Sequence, residues 1–216
     1  MHIVFAVILL LSLCTAACWA VEGVTFHASF DRWLVGDIGA GGRTPIKQLG
    51  GSLAEGRSGM ALSLDGQSYL EFPAGANIPD GAFTLCLWFR PTDWGARTYD
   101  NILGFSDTDR NALELERSHP GGQLRIIIGG PDSADGSKTR SMFSRQPLQN
   151  GEWVHIAVSV DPETALCVLY VNGEAVARLE GPGPLPQNPA SLLVGCGWGR
   201  LQRAVSGLID DVTILA

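Results

Sequence analysis

Glu114-Leu115-Glu116 is the first place in the chain where residue type and spacing suggest chemistry. Side chains two apart on a strand share one face. Two carboxylates flanking one bond are the equipment of glycoside hydrolysis, one as acid and the other as base or nucleophile. Arg117-Ser118-His119 follows, no third acid joins the pair, and both glutamates are expected to face solvent. Gly56-Arg57-Ser58-Gly59-Met60 lacks the final glycine of a nucleophile elbow. The histidines have no metal-ligand spacing, and Gly39-Ala40-Gly41-Gly42-Arg43-Thr44 lacks the third glycine of a dinucleotide loop. Asp107-Thr108-Asp109-Arg110-Asn111 alternates oxygen ligands like the start of a calcium loop, but Ala112 replaces the turn glycine and Ser118 the closing glutamate. A plain hairpin turn is expected there, and nothing in the residues makes an enzyme the expected function.

Aromatic and basic residues form a second constellation. Along 153–160, Val154, Ile156, Val158 and Val160 alternate with Trp153, His155, Ala157 and Ser159. Along 83–90, Phe83, Leu85, Leu87 and Phe89 alternate with Thr84, Cys86, Trp88 and Arg90. The apolar sets belong to the core by the period of two. The opposite face then carries Trp88, Arg90, Trp153 and His155, with Trp94, Tyr99 and Trp198 in loops placed to rim it. Such rings stack on sugar CH groups, and Arg90 donates to hydroxyls or to an acidic sugar. The alternative is that Trp88 and His155 pack under a loop or against each other.

The elements that must position these groups are strands. Breakers recur every eight to twelve residues or so, and the segments between them alternate or are β-branched and aromatic. Strands are expected at 24–30, 61–64, 69–72, 83–90, 101–105, 112–117, 124–128, 153–160, 165–171, 175–179, 192–194 and 208–215. Residues 36–59 are expected as a long loop over one end, and 131–141 as a polar loop. This is the layout of an all-β, two-sheet antiparallel sandwich. At 216 residues, 45% hydrophobic and 17% charged, one compact domain is expected and disorder is excluded. A net charge of −7 without a Lys/Arg block argues against nucleic acid as a partner.

Residues 1–20 contain no Asp, Glu, Lys or Arg, run apolar, and shift to small residues at Cys14-Thr15-Ala16-Ala17-Cys18-Trp19-Ala20. The layout is that of a secretory signal with cleavage after Ala20, leaving a domain at 21–216 with no transmembrane segment in the mature chain. A retained anchor and lipid processing at Cys18 are the alternatives. A secreted or envelope location follows. Cys86, Cys167 and Cys196 then remain, with no metal-knuckle spacing. They either make one disulfide and leave one thiol, or are buried as small hydrophobes.

Gly56-Arg57-Ser58-Gly59-Met60-Ala61-Leu62-Ser63-Leu64-Asp65-Gly66 and then Phe83-Thr84-Leu85-Cys86-Leu87-Trp88-Phe89-Arg90-Pro91 resemble the opening of a laminin-G-like domain of the concanavalin A-like lectin/glucanase superfamily. Trp153-Val154-His155-Ile156-Ala157 with Leu169-Tyr170-Val171-Asn172-Gly173 resembles its central hairpin, and Gly207-Leu208-Ile209-Asp210-Asp211-Val212-Thr213-Ile214 its closing strand. The resemblance implies a jelly-roll sandwich that hosts lectins, adhesion modules, hydrolases and lyases alike. Ala82–Leu87 is also similar to the pentraxin branch, but Ala157 stands where that branch has the partner cysteine, so Cys86 lacks its bridge. Cys167 is expected opposite Val158 on the other face, not bonded to Cys86. Ser191-Leu192-Leu193-Val194-Gly195 is followed by Cys196-Gly197-Trp198-Gly199, without the acids of pentraxin calcium binding.

The resemblance further implies one structural calcium ion held by Asp210, Asp31 and the Gly59 carbonyl. The alternative is that Asp210 and Asp211 cap a sheet edge by hydrogen bonds. Glycosidases of this fold use a Glu-x-Asp-x-x-Glu arrangement, which Glu114-Leu115-Glu116 does not complete. The expected function is a non-catalytic recognition module for carbohydrate. A cell-surface protein partner is the alternative, and a polysaccharide-cleaving enzyme a more distant one.

Overall fold

The computed structural model describes residues 23–95, 98–106, 112–129, 140–181, 185, 188–197 and 203–216. They form sixteen strands and one short 3-10 helix, Gly75–Asn77. The strands are β1 Val24–Ala28, β2 Ile38–Gly39, β3 Lys47–Leu49, β4 Ser52–Glu55, β5 Met60–Asp65, β6 Tyr69–Pro73, β7 Phe83–Pro91 and β8 Asn101–Ser106. They continue as β9 Ala112–Arg117, β10 Gln123–Gly129, β11 Arg140–Pro147, β12 Val154–Asp161, β13 Leu166–Val171, β14 Glu174–Glu180, β15 Ser191–Val194 and β16 Ser206–Leu215.

They pair into two antiparallel sheets. A nine-stranded sheet runs β14-β13-β12-β7-β16-β1-β2, with β5 on β16 and β4 on β5. A seven-stranded sheet runs β11-β10-β9-β8-β15-β6-β3. The expected two-sheet sandwich is what the chain builds. The apolar sets of β7 and β12 point inward as their alternation requires: Phe83, Leu85, Leu87 and Phe89, with Val154, Ile156, Val158 and Val160, are all buried. Edge-to-face rings join the two sheets, Phe26 of β1 on Phe72 of β6 with centroids 5.0 Å apart. Phe83 of β7 meets Phe105 of β8 at 6.0 Å.

Three expectations need correction. The segment 36–59 is not one loop, because β2, β3 and β4 lie in it as short edge strands whose pattern is too brief to register as alternation. Cys167 pairs with Val160, two residues from the expected Val158. Cys167 and Cys196 are buried, but Cys86 lies half-buried on the outer face; all three are free thiols, so Cys86 and Cys167 are indeed unbonded. Residues 1–20, 107–111, Trp198 and most of 131–141 lie outside the described residues. No described helix is long and apolar enough to cross a membrane.

Glu114 and Glu116 are the third correction. They share the outer face of β9, but their exposures are 1% and 0%. The backbone at Gly197 lies so close over Asn101 and Glu114 that a Cβ there would displace their side-chain ends. Beneath this cover, Asn101 Nδ2 donates to Glu114 Oε2 at 2.7 Å, Arg203 Nη1 donates to Glu116 Oε2 at 3.2 Å, and Arg125 Nη2 donates to Glu116 Oε1. A buried carboxylate is tolerated when paired in this way, and removing one partner leaves uncompensated charge. Glu116→Ala is therefore expected to lower the unfolding free energy by about 3 kcal/mol in urea titration, from the loss of a buried pair.

Candidate functional site

Trp88 and Arg90 project from the outer face of β7, and Trp153 and His155 lie in and just before β12. Trp88 is directly opposite His155 in the ladder, and their rings meet in a tilted contact with centroids 5.1 Å apart. The mutual packing foreseen as the alternative is therefore present, but it does not bury the pair. Both rings remain half-buried and line a concavity of about 600 Å³ with Trp153, Arg57 and Asn172. Arg57 lies over the Trp88 ring at 4.9 Å, and Arg90 over the Trp153 ring at 5.3 Å. Such cation–π contacts hold a guanidinium flat while leaving its edge free to donate.

Two of the lining residues, Arg57 and Asn172, were not singled out from the sequence. Asn172-Gly173 joins β13 to β14 with φ of 51° and 83°, the two-residue turn that Asn-Gly favours. The Asn172 N–H donates to the His155 carbonyl at 2.8 Å, and Asn172 Oδ1 accepts the His155 N–H at 2.9 Å. The turn was legible as an Asn-Gly pair, but its return to β12 was not. Arg57 is set by Asp210. In β16 the register shifts between Asp210 and Thr213, and Asp211 takes a left-handed φ of 52°. Such a bulge re-aims side chains. Asp210 is turned under the β4–β5 hairpin, where its Oδ2 accepts the Arg57 N–H at 2.8 Å and the Ser58 N–H at 3.3 Å.

The same hairpin turn also meets Asp31. Asp31 Oδ1 accepts the Met60 N–H at 3.0 Å. Gly59 has a φ of 65° and its missing Cβ leaves the space that Asp31 Oδ1 occupies. Asp210 Oδ1 is buried without a hydrogen-bond partner. Burial pushes the Asp210 carboxyl above its ordinary value, against the lowering effect of the Arg57 and Ser58 amides. Asp211 is also raised, by burial and by the nearby Asp31 and Asp37, while His27 opposes the rise. Among the described residues, no group of three or more His, Cys, Asp or Glu converges as a metal set.

The remaining sequence candidates lie elsewhere. Trp94 is not on this rim: its ring packs on Phe89 at 5.7 Å and its indole N–H donates to the Gly122 carbonyl at 2.8 Å. It wedges the loop after β7 against the core, as an indole with one polar tip does. Tyr99 is exposed and has Arg203, the partner of Glu116, over its ring at 4.3 Å.

Burial pulls the His155 imidazole below the ordinary histidine value, so the ring is neutral at pH 7. The neutral ring's contribution to stability is present above the ordinary value of 6.5 and is lost as pH falls through the lowered native value. NMR titration is expected to give His155 a midpoint below 6.5, and Trp88→Ala is expected to move that midpoint back up by uncovering the ring.

The family model for concanavalin A-like lectin/glucanases (Laminin_G_3) matches residues 64–216. A search among curated proteins found no match. Among solved structures, the chain is similar to domain 4 of AbnA, a GH43 extracellular arabinanase from Geobacillus stearothermophilus, in complex with arabinotriose. The TM-score is 0.72 and the identity 23%, over 89% of this chain and 92% of that one. It is similar to the binding domain of Paraclostridial Mosquitocidal Protein 1 at a TM-score of 0.62 and 15% identity, over 89% of this chain and 48% of that one. A third likeness, to NanB sialidase from Streptococcus pneumoniae, has a TM-score of 0.54 and 14% identity over 79% of this chain and 26% of that one. At these identities the structures share the fold alone. By its family match, and in keeping with the sandwich described above, the chain belongs to the laminin-G-like family of the concanavalin A-like lectin/glucanases superfamily.

Proposed function

We propose that the chain is an exported, non-catalytic module that binds carbohydrate on the outer face of the nine-stranded sheet. The observation that carries this reading is the concavity walled by Trp88, Trp153, His155, Arg57 and Asn172. Sugar rings offer apolar CH faces and polar hydroxyl edges, and this wall offers half-buried indoles beside guanidinium and amide groups. The likeness to an arabinanase domain in complex with arabinotriose supports trying oligosaccharides first. The non-catalytic part rests on Glu114 and Glu116, which are sealed and hydrogen-bonded to Asn101, Arg125 and Arg203. Export rests on the uncharged apolar leader at 1–20 and the small residues that close it.

The shallow site favours micromolar to millimolar affinity. Trp153→Ala is expected to weaken polysaccharide binding roughly tenfold in isothermal titration, the scale of one lost stacking contact. The melting temperature should change little, because Trp153 is not in the core. Retention of full affinity by that variant would move the site elsewhere. Silence of the native chain across neutral and acidic glycans would favour a cell-surface protein as partner.

A structural calcium ion belongs to the same proposal. The orphaned Asp210 Oδ1 supports it, and Asp210 with Asp31 and the Gly59 carbonyl would hold it, completed by further backbone oxygens. The ion would supply positive charge at the hairpin turn that carries Arg57. Calcium at 100 times its Kd is expected to stabilise the fold by about 2.7 kcal/mol. The measurement is a thermal melt with calcium and with a chelator, and Asp210→Ala is expected to abolish the difference.

A further inference from the structure

A second pocket, of about 450 Å³, lies where the loop after β1 meets Arg43, lined by Ser29, Asp31, Arg32, Trp33, Asp37 and Arg43 among others. Trp33 is 71% exposed, more than any other large hydrophobic side chain among the described residues. Folding leaves isolated surface hydrophobes without consequence, but an indole at the mouth of a polar pocket is the arrangement that a flat ligand with one apolar face requires. Neither Arg32 nor Arg43 has an ion-pair partner among the described residues. Their donors are therefore available.

The backbone holds this pocket in shape. The Gly36 N–H donates to the Arg43 carbonyl at 2.7 Å, and the Asp37 N–H donates to the His27 carbonyl at 2.8 Å. Asp37 Oδ2 accepts the Ser29 N–H at 2.8 Å. Buried Asn77 fixes the far side of the loop: its Oδ1 accepts the Gly41 N–H at 2.8 Å and its Nδ2 donates to the Gly42 carbonyl at 2.7 Å. A pocket ordered before the ligand arrives does not lose affinity to loop ordering.

We propose that this pocket is a second carbohydrate subsite, selective for an uncharged sugar ring. The inference rests on the carbohydrate-binding reading of the first site and extends it. Two arginines and two aspartates line the pocket, so its formal charges cancel when no cation sits on Asp31. An anionic sugar would meet Asp31 and Asp37, and a cationic one Arg32 and Arg43. A neutral ring with vicinal hydroxyls satisfies both, donating to carboxylate and accepting from guanidinium, with its CH face on Trp33. The Gly56–Met60 turn touches both sites, since Met60 donates to Asp31 and Arg57 covers Trp88. One polysaccharide engaging both sites gains avidity through effective concentration.

The test is indole N–H NMR on the chain in chelator-containing buffer, which leaves Asp31 free of metal, titrated with arabinotriose, xylotriose, cellotriose and trigalacturonate. The Trp33 signal is expected to shift saturably with at least one neutral trisaccharide and less with trigalacturonate. Trp33→Ala, a change at an exposed position, is expected to weaken binding of the matching neutral polysaccharide roughly tenfold while the Trp88 and Trp153 signals still respond. A Trp33 signal that stays still while Trp88 or Trp153 moves overturns the second subsite and leaves the first intact. A stronger response to trigalacturonate overturns the selectivity. If none of the three indoles responds to any sugar, both sites fall together.

Discussion

The buried carboxylate of Asp210 governs the open face of this sandwich. A β-bulge in β16 turns it beneath the β4–β5 hairpin, where it accepts the Arg57 and Ser58 amides. Those two bonds hold the turn down against the sheet, and the turn in turn sets Arg57 over Trp88 and brings Met60 to Asp31. Charge-assisted bonds from backbone amides are strong enough to fix such a turn. Their cost is a desolvated carboxylate, which shows as an acid raised above its ordinary value. Without this anchor, the arginine that walls the concavity would sit on a hairpin turn whose remaining carboxylate tether is the Met60–Asp31 bond.

The two sheets treat their outer polar residues in opposite ways. On the seven-stranded sheet, the backbone around Gly197 and the side chain of Arg203 cover Glu114 and Glu116, so the acids meet cations and amides rather than a ligand. Over the nine-stranded sheet, Arg57 and Arg90 lie on aromatic rings instead of on carboxylates. An arginine paired with a carboxylate is electrically satisfied, whereas one lying on an indole keeps its edge donors for another partner. Among the described residues, the arginine–carboxylate pairs lie on the seven-stranded sheet, while Arg57 and Arg90 on the other side keep edge donors for a further partner.

What the sequence revealed follows from what each feature depends on. The alternation in 83–90 and 153–160 placed Trp88, Arg90, Trp153 and His155 on one face, because strand geometry is local and of period two. Trp94 and Tyr99 come from a segment that crosses between the sheets, and no periodicity tells which way a loop side chain turns. Glu114 and Glu116 shared a face as expected, but their burial depends on residues some ninety positions later, Gly197 and Arg203. Arg57 and Asn172 escaped for the same reason. Each reaches the concavity through a long-range contact, with Asp210 in one case and with His155 across the β12–β13 pair in the other. The short strands β2, β3 and β4 give two to four residues each, too few for a pattern to emerge.

The three free thiols among the described residues bear on what holds the domain together. Cys167 is buried and its thiol is pushed up to about 12 by desolvation, while Cys86 is raised by the same cause. The thiolate is the species that attacks and oxidises, so both groups are chemically quiet at neutral pH. Among the described residues, the two sheets are held by apolar burial and hydrogen-bonded ladders, and Cys86, Cys167 and Cys196 add no covalent link.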